Sequence, residues 1–127
     1  MKVLYTVEGV VKDGAKRGRD LGFPTANIAI TAPIPEGIYA SEVMFDSHTY
    51  IAATFIGKAV TFGETEYKAE TYIIDFNKDI YGETLTIKLF KKIRENVKFS
   101  GEKQLIEQMN QDIVDIKEYF MQSEFKL

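Results

Sequence analysis

With 127 residues, 45% of them hydrophobic and 28% charged, the chain suits one domain with a compact core and leaves no room for two ordinary ones. The absence of cysteine excludes disulfides, thiol nucleophiles, thiolate zinc sites and iron–sulfur clusters, and a single histidine, His48, excludes two-histidine metal motifs. A net charge of −3 is a poor basis for nucleic-acid binding, so no nucleic-acid partner is expected.

The N-terminal run from Val3 to Val11 is aliphatic and β-branched and reads as a strand. Glu8 and Gly9 interrupt it too early for a secretory signal, and nothing approaches the roughly 18 apolar residues of a membrane span. No membrane partner and a cytoplasmic location are expected, which the lack of cysteine fits. Residues 12–24 follow as a loop rich in glycine, in which residues 12–19 carry Lys12, Lys16, Arg17 and Arg19 against Asp13. A local basic loop in an acidic chain suits a small anion: glycine lets backbone N–H groups approach a phosphate, and arginine adds charge-assisted bonds. An exposed turn with solvated bases would have the same composition. It is not a Walker loop, because no Gly-Lys-Ser/Thr follows.

In Gly22-Phe23-Pro24-Thr25-Ala26-Asn27, proline fixes the backbone ahead of a hydroxyl and an amide two residues apart. On an extended chain these two point to one side and can share a hard cation that also touches phosphate, or each can bond nearby backbone in a turn. Pro33, Pro35 and Gly37 punctuate the next connection; residues 38–45 and 49–56 read as strands joined at Asp46-Ser47, with His48 an ordinary exposed turn residue. Residues 66–76 form another strand, closed by the turn signal Asn77-Lys78-Asp79. Its alternation puts Glu70 with Tyr72, Ile74 and Phe76 on an apolar face, while Asp75 and Lys68 are assigned to the opposite face. A carboxylate on an apolar face needs a partner or a task. General-base work is one such task; escape to solvent at the strand end or pairing with a lysine or arginine are the others. As a base without a buried partner, Glu70 would tolerate replacement by Gln with no loss of stability.

Residues 84–90 alternate most cleanly, Leu85, Ile87 and Leu89 against Thr84, Thr86 and Lys88. The period then changes: Leu105, Met109, Ile113, Ile116 and Phe120, with Ile106 beside them, recur at helical spacing, with Ser100 as N-cap and Glu102 in the first turn. Five or six strands followed by one helix indicate α+β, or an antiparallel barrel with the helix against one side.

These segments, taken in order, resemble the riboflavin kinase family. The resemblance rests on Gly9-Val10-Val11-Lys12-Asp13-Gly14 and on Arg17-Gly18-Arg19-Asp20-Leu21-Gly22-Phe23-Pro24-Thr25-Ala26-Asn27-Ile28. It continues through Pro35-Glu36-Gly37-Ile38-Tyr39-Ala40, Ile56-Gly57, Thr61-Phe62-Gly63, Glu70, Asp79-Ile80-Tyr81-Gly82, Ile93-Arg94, Lys98-Phe99, Leu105 and Asp112. The block from Gly18-Arg19 to Asn27 is its most specific part. The resemblance implies a mostly β fold over residues 1–127, a six-stranded antiparallel Greek-key barrel with a C-terminal helix. It implies ATP-dependent phosphorylation of the riboflavin ribityl 5′-hydroxyl to FMN, with Mg2+ as cofactor and ATP as co-substrate. By position, Glu70 is then the general base, and Thr25 and Asn27 meet both metal and phosphates. Gly14, Arg17, Gly18, Arg19, Gly22 and Pro24 belong to the nucleotide loop, and Arg94 lies near the flavin. The pattern departs where Phe55 stands in place of the family's usual asparagine before Ile56-Gly57, where Val60 replaces a proline, and where Asn96 replaces a glutamate. The adenylylating activity of the bifunctional relatives uses a motif with two histidines, which this sequence lacks. The resemblance fits a free-standing kinase or one module of a longer bifunctional flavin-synthesising protein. The alternative function is a non-catalytic flavin- or nucleotide-binding module on the same fold; an unrelated β-barrel interaction domain fits the motifs least.

Overall fold

A computed structural model describes residues 2–12, 25–61, 64–76 and 78–124. Among them are six strands and one long helix: β1 (Tyr5–Val10), β2 (Ala26–Ala29), β3 (Gly37–Phe45), β4 (His48–Thr61), β5 (Glu64–Ile73), β6 (Thr84–Arg94) and α1 (Glu102–Glu124). All the ladders are antiparallel and run in the order β1-β6-β3-β4-β5-β2. A bridge between Lys12 and Asn27, with the Lys12 N–H donating to the Asn27 carbonyl at 2.7 Å, joins the two outer strands and nearly closes the barrel. Closure removes the edges on which foreign strands could pair.

Alternation decides what fills the barrel. Leu85, Ile87 and Leu89 are fully buried inside it, as their period predicts, with Ile28, Tyr39, Val43 and Ile56 facing them. The Tyr39 phenol, donating to the Pro35 carbonyl at 2.6 Å, is held above its usual pKa chiefly by burial. Three buried hydroxyls cross the interior in a row. Ser41 donates to the Ala52 carbonyl at 3.0 Å, Thr54 lies 2.7 Å from Ser41, and Thr71 lies 3.0 Å from Thr54. If Thr71 donates to Thr54 and Thr54 to Ser41, each proton is used once and no donor is stranded.

The β3–β4 hairpin turns at Asp46 and Ser47, both at positive φ (50° and 62°), the two-residue turn that matches strand twist. His48 is exposed there, its Nδ1 2.7 Å from the Asp46 carbonyl. Several boundaries differ from expectation: β4 runs on to Thr61 and β6 to Arg94, past the expected ends at 56 and 90, and β5 begins at Glu64. β5 ends at Ile73, with a turn at Ile74-Asp75 in which Asp75 has φ 58°; the apolar run Tyr72-Ile73-Ile74 hides that end from a pattern reading. At the helix start, the Gly101 carbonyl takes the first helical bond, from the Leu105 N–H. Ser100 therefore lies one residue before the N-cap, and both its N–H and its hydroxyl bond Gln104 Oε1.

Helix α1 has two halves with different duties. Ile116 and Phe120 pack on the barrel's outer wall with Ala40, Ile74 and Phe90, the last in edge contact with Phe120. Leu105, Met109 and Ile113, on the same stripe, line an open cleft instead. The continuous apolar face seen in the sequence is thus half anchor and half roof. No helix among the described residues is long and apolar enough to cross a membrane.

Candidate active site

The cleft holds about 230 Å³ between the N-terminal half of α1 and the outer faces of β3 to β6. It is lined mainly by apolar side chains, with Thr25, Glu70, Arg94, Asn96 and Asp112 as the polar exceptions. That mix suits a flat, largely apolar ligand with a polar tail.

Each polar residue is placed by its strand. In the β2–β5 ladder, Asn27 stands directly opposite Glu70 and Ala26 opposite Thr71. Side chains opposite one another share a face, so Asn27 and Glu70 emerge together on the outer side. Thr25, two residues before Asn27, lines the same cleft as Glu70. Ala26 and Ile28 turn inward to the core. Alternation over residues 25–28 and the register with β5 together put hydroxyl, amide and carboxylate on one face. Asn27 is 7% exposed, and its Oδ1 is buried with no hydrogen-bond partner among the described residues. An orphaned buried acceptor is costly in isolation and suited to a missing cation or donor.

Glu70 does sit with Tyr72 and Ile74, but that face is the outer wall beneath α1. Ala69, Thr71 and Ile73 take the barrel interior, and Phe76, past the strand end, packs with the interior cluster. The assignment of Lys68 to the opposite face is corrected by the structure. Lys68 lies two residues from Glu70, so the period of two puts both on one face, and its Nζ is 3.0 Å from Glu70 Oε1.

Arg94 lines the cleft with its guanidinium already engaged. Nε and Nη2 meet the two Asp112 oxygens at 2.8 Å each, Nη1 donates to the Glu95 carbonyl at 3.0 Å, and the group lies 5.9 Å from the Phe99 ring centre. Asp112 is 4% exposed and also accepts from Gln108 at 2.9 Å. This pair ties the end of β6 to the middle of α1 and shapes one wall. In the sequence Asp112 marks only the end of the recognisable pattern; an acid inside the helix's apolar half was the available signal. Of the departures, Phe55 and Asn96 both line the cleft, and Asn96 Nδ2 donates to the Ile56 carbonyl at 3.3 Å. The Phe55 ring fills the space above Gly57, where an added Cβ would come within 2.5 Å of it. Gly14, Arg17, Gly18, Arg19, Gly22 and Pro24 lie outside the described residues.

Residues 1–120 match the family model described as Flavokinase: Riboflavin kinase. The chain belongs to the riboflavin kinase family. It is 39% identical over 124 residues to the bifunctional riboflavin kinase/FMN adenylyltransferase of Listeria monocytogenes, covering 94% of this chain and 40% of that protein. A solved structure titled as riboflavin kinase from Trypanosoma brucei aligns with a TM-score of 0.69 at 22% identity, over 95% of this chain and 82% of the other, a likeness of fold. Another, titled as a macrolide-efflux protein from Streptococcus pneumoniae, aligns with a TM-score of 0.80 at 36% identity, over 88% of this chain and 38% of that one. The family's nearly closed six-stranded antiparallel barrel with one C-terminal helix is the fold described above. This chain thus spans less than half the length of the Listeria relative.

Proposed function

We propose that this chain transfers the γ-phosphoryl group of ATP to the ribityl 5′-hydroxyl of riboflavin, giving FMN and ADP, in the cytoplasm. The observation that carries the reading is the placing of Glu70 and Thr25 on one cleft, with Asn27 beside Glu70 in the ladder. Family membership supplies the reaction class.

In this reading the apolar part of the cleft, roofed by Leu105, Met109 and Ile113, takes the flavin ring, and Arg94 and Asn96 shape the wall it rests on. Glu70 accepts the proton of the 5′-hydroxyl as that oxygen bonds to the γ-phosphorus. The bond from phosphorus to the bridging oxygen breaks, and ADP leaves with the electron pair. Such a base adds roughly 10²–10⁴-fold; positioning and charge neutralisation supply the rest. Thr25 and Asn27 would hold Mg2+. Their fit rests on the unpartnered Oδ1 of Asn27 and on both being hard oxygen donors. When bound with ATP, the ion neutralises phosphate charge. Among the described residues there is no cluster of three or more acidic or histidine side chains, so a metal here would depend on phosphate oxygens for its remaining ligands. The loop containing Gly14, Arg17, Gly18, Arg19 and Gly22, which leads into Pro24, would lie over the phosphates. We read residues 1–127 as one domain, in keeping with a module of a longer flavin-synthesising protein.

The test is a chromatographic assay of the chain with riboflavin, ATP and magnesium. FMN accumulating in step with ADP is expected. Riboflavin and ATP recovered unchanged at saturating concentrations would instead leave a binding module.

A further inference from the structure

Lys68 has no part in the mechanism above, yet its situation is unusual for a lysine. Its side chain is 12% exposed, and a cation that far from water needs a partner. The partner is Glu70 Oε1 at 3.0 Å. The ladder explains the enclosure: Lys68 stands opposite Ala29 on β2 and opposite Gly57 on β4. Neither neighbour has a side chain long enough to compete for the outer face, and the Phe55 ring leans across Gly57 to wall it. Phe55 itself stands opposite Glu70. The lysine stem thus occupies a slot built by two small residues and one ring, and its head meets the carboxylate.

A glutamate lining a cleft has three free torsions, and a base must hold one oxygen within hydrogen-bond reach of the proton it takes. We infer that Lys68 is a positioning residue for the transfer step: its ammonium holds Oε1 of Glu70 and leaves Oε2 to be presented to the substrate hydroxyl. The inference rests on Glu70 being the base. It concerns orientation, so its signature is a loss of kcat with substrate binding kept.

The experiment is steady-state kinetics of the full chain with riboflavin and MgATP, for Lys68→Met, Lys68→Arg, Glu70→Gln and the Lys68→Met/Glu70→Gln double variant. Lys68→Met keeps the stem in its slot and removes the charge. It should lower kcat roughly tenfold, a part of the 10²–10⁴-fold a base contributes, with both KM values within about twofold of the parent. Lys68→Arg should recover most of that loss, which a general packing defect at Lys68→Met would not predict. In the Glu70→Gln background, Lys68→Met should have no further effect on kcat, because there is no basic oxygen left to orient. A parent-like kcat in Lys68→Met overturns the inference. So does a rise in KM for ATP with kcat unchanged, which would make Lys68 a phosphate ligand, and so does an equal tenfold loss on the Glu70→Gln background. A parent-like Glu70→Gln enzyme overturns the base assignment itself, and is thereby told apart from a failure at Lys68 alone.

Discussion

At the scale of single residues, the site depends on a few atoms whose partners can be named. Thr25 and Asn27 offer two neutral oxygens, too few to strip water from a magnesium ion unaided. Magnesium titrated calorimetrically into the chain alone should give no measurable heat, and should give a saturable signal once ADP is present. Thr25→Ala should weaken that second signal and reduce FMN formation by at least tenfold in an otherwise folded protein; parent-like turnover at limiting magnesium would refute the pairing of these two residues. Glu70→Gln should cut turnover by roughly 10²–10⁴-fold. Its effect on stability differs from the sequence expectation. Read without Lys68, Gln removes a lone buried charge and costs nothing; with Lys68 in place, Gln leaves a mostly buried ammonium unpaired. Glu70 keeps 27% exposure, which screens the pair, so a loss of about 1–3 kcal/mol in urea denaturation is expected. That Thr25 and Asn27 would share a face follows from counting residues by twos, and that Lys68 would lie with Glu70 follows from the same count. What the count does not contain is the β2–β5 ladder that sets Asn27 opposite Glu70, or the slot made by Ala29, Gly57 and Phe55, since both depend on which strands lie side by side.

At the scale of elements, helix α1 joins the fold to the site. Its apolar stripe was legible as a stripe, because period and composition agree from Leu105 to Phe120. Its division into an anchoring half and a roofing half was not, because that depends on where the barrel wall curves away beneath it. The short strand β2 was equally hidden: four residues with one polar position carry too little period to stand out, and the strand exists because β5 offers it a ladder. The Arg94–Asp112 pair holds the helix at the point where its two halves meet. Both partners are largely buried (18% and 5% of their side-chain surfaces exposed), so removing one leaves a charge with little water to turn to. Asp112→Ala should lower unfolding stability by about 3 kcal/mol, read from urea midpoints at constant m-value. Replacing the pair together, as Arg94→Met with Asp112→Leu, should recover most of it, because the cost lies in the stranded charge more than in the lost attraction. Equal losses in the single and double variants would show that the pair fastens the helix by a contact that apolar packing cannot replace.

At the scale of the whole molecule, the proposed site depends on the barrel's closing, since Asn27 belongs both to that proposed site and to the seam. Its side chain carries the unpartnered oxygen, while its carbonyl accepts the Lys12 N–H that bridges β1 to β2. The approach of these strands is set by Gly9. A Cβ built there would lie 2.6 Å from Cγ2 of Ile28, a methyl on the branch point of a side chain that is 1% exposed. That methyl cannot swing aside without moving β2, because it is attached directly to Ile28 Cβ. Gly9→Ala should therefore force the seam apart or crowd the core, at about 1–3 kcal/mol. The shift would reach Asn27, the residue before Ile28, so KM for MgATP should rise along with the loss of stability. Adding Ile28→Leu moves the branch one carbon outward at constant volume and frees the space that the new methyl needs. The double variant should then regain part of both the stability and the nucleotide affinity. Thermal melts and KM measured on the same three proteins decide it. A Gly9→Ala protein as stable as the parent would mean that the strands approach less closely than the seam geometry requires, and that closure rests on the Lys12–Asn27 bridge alone.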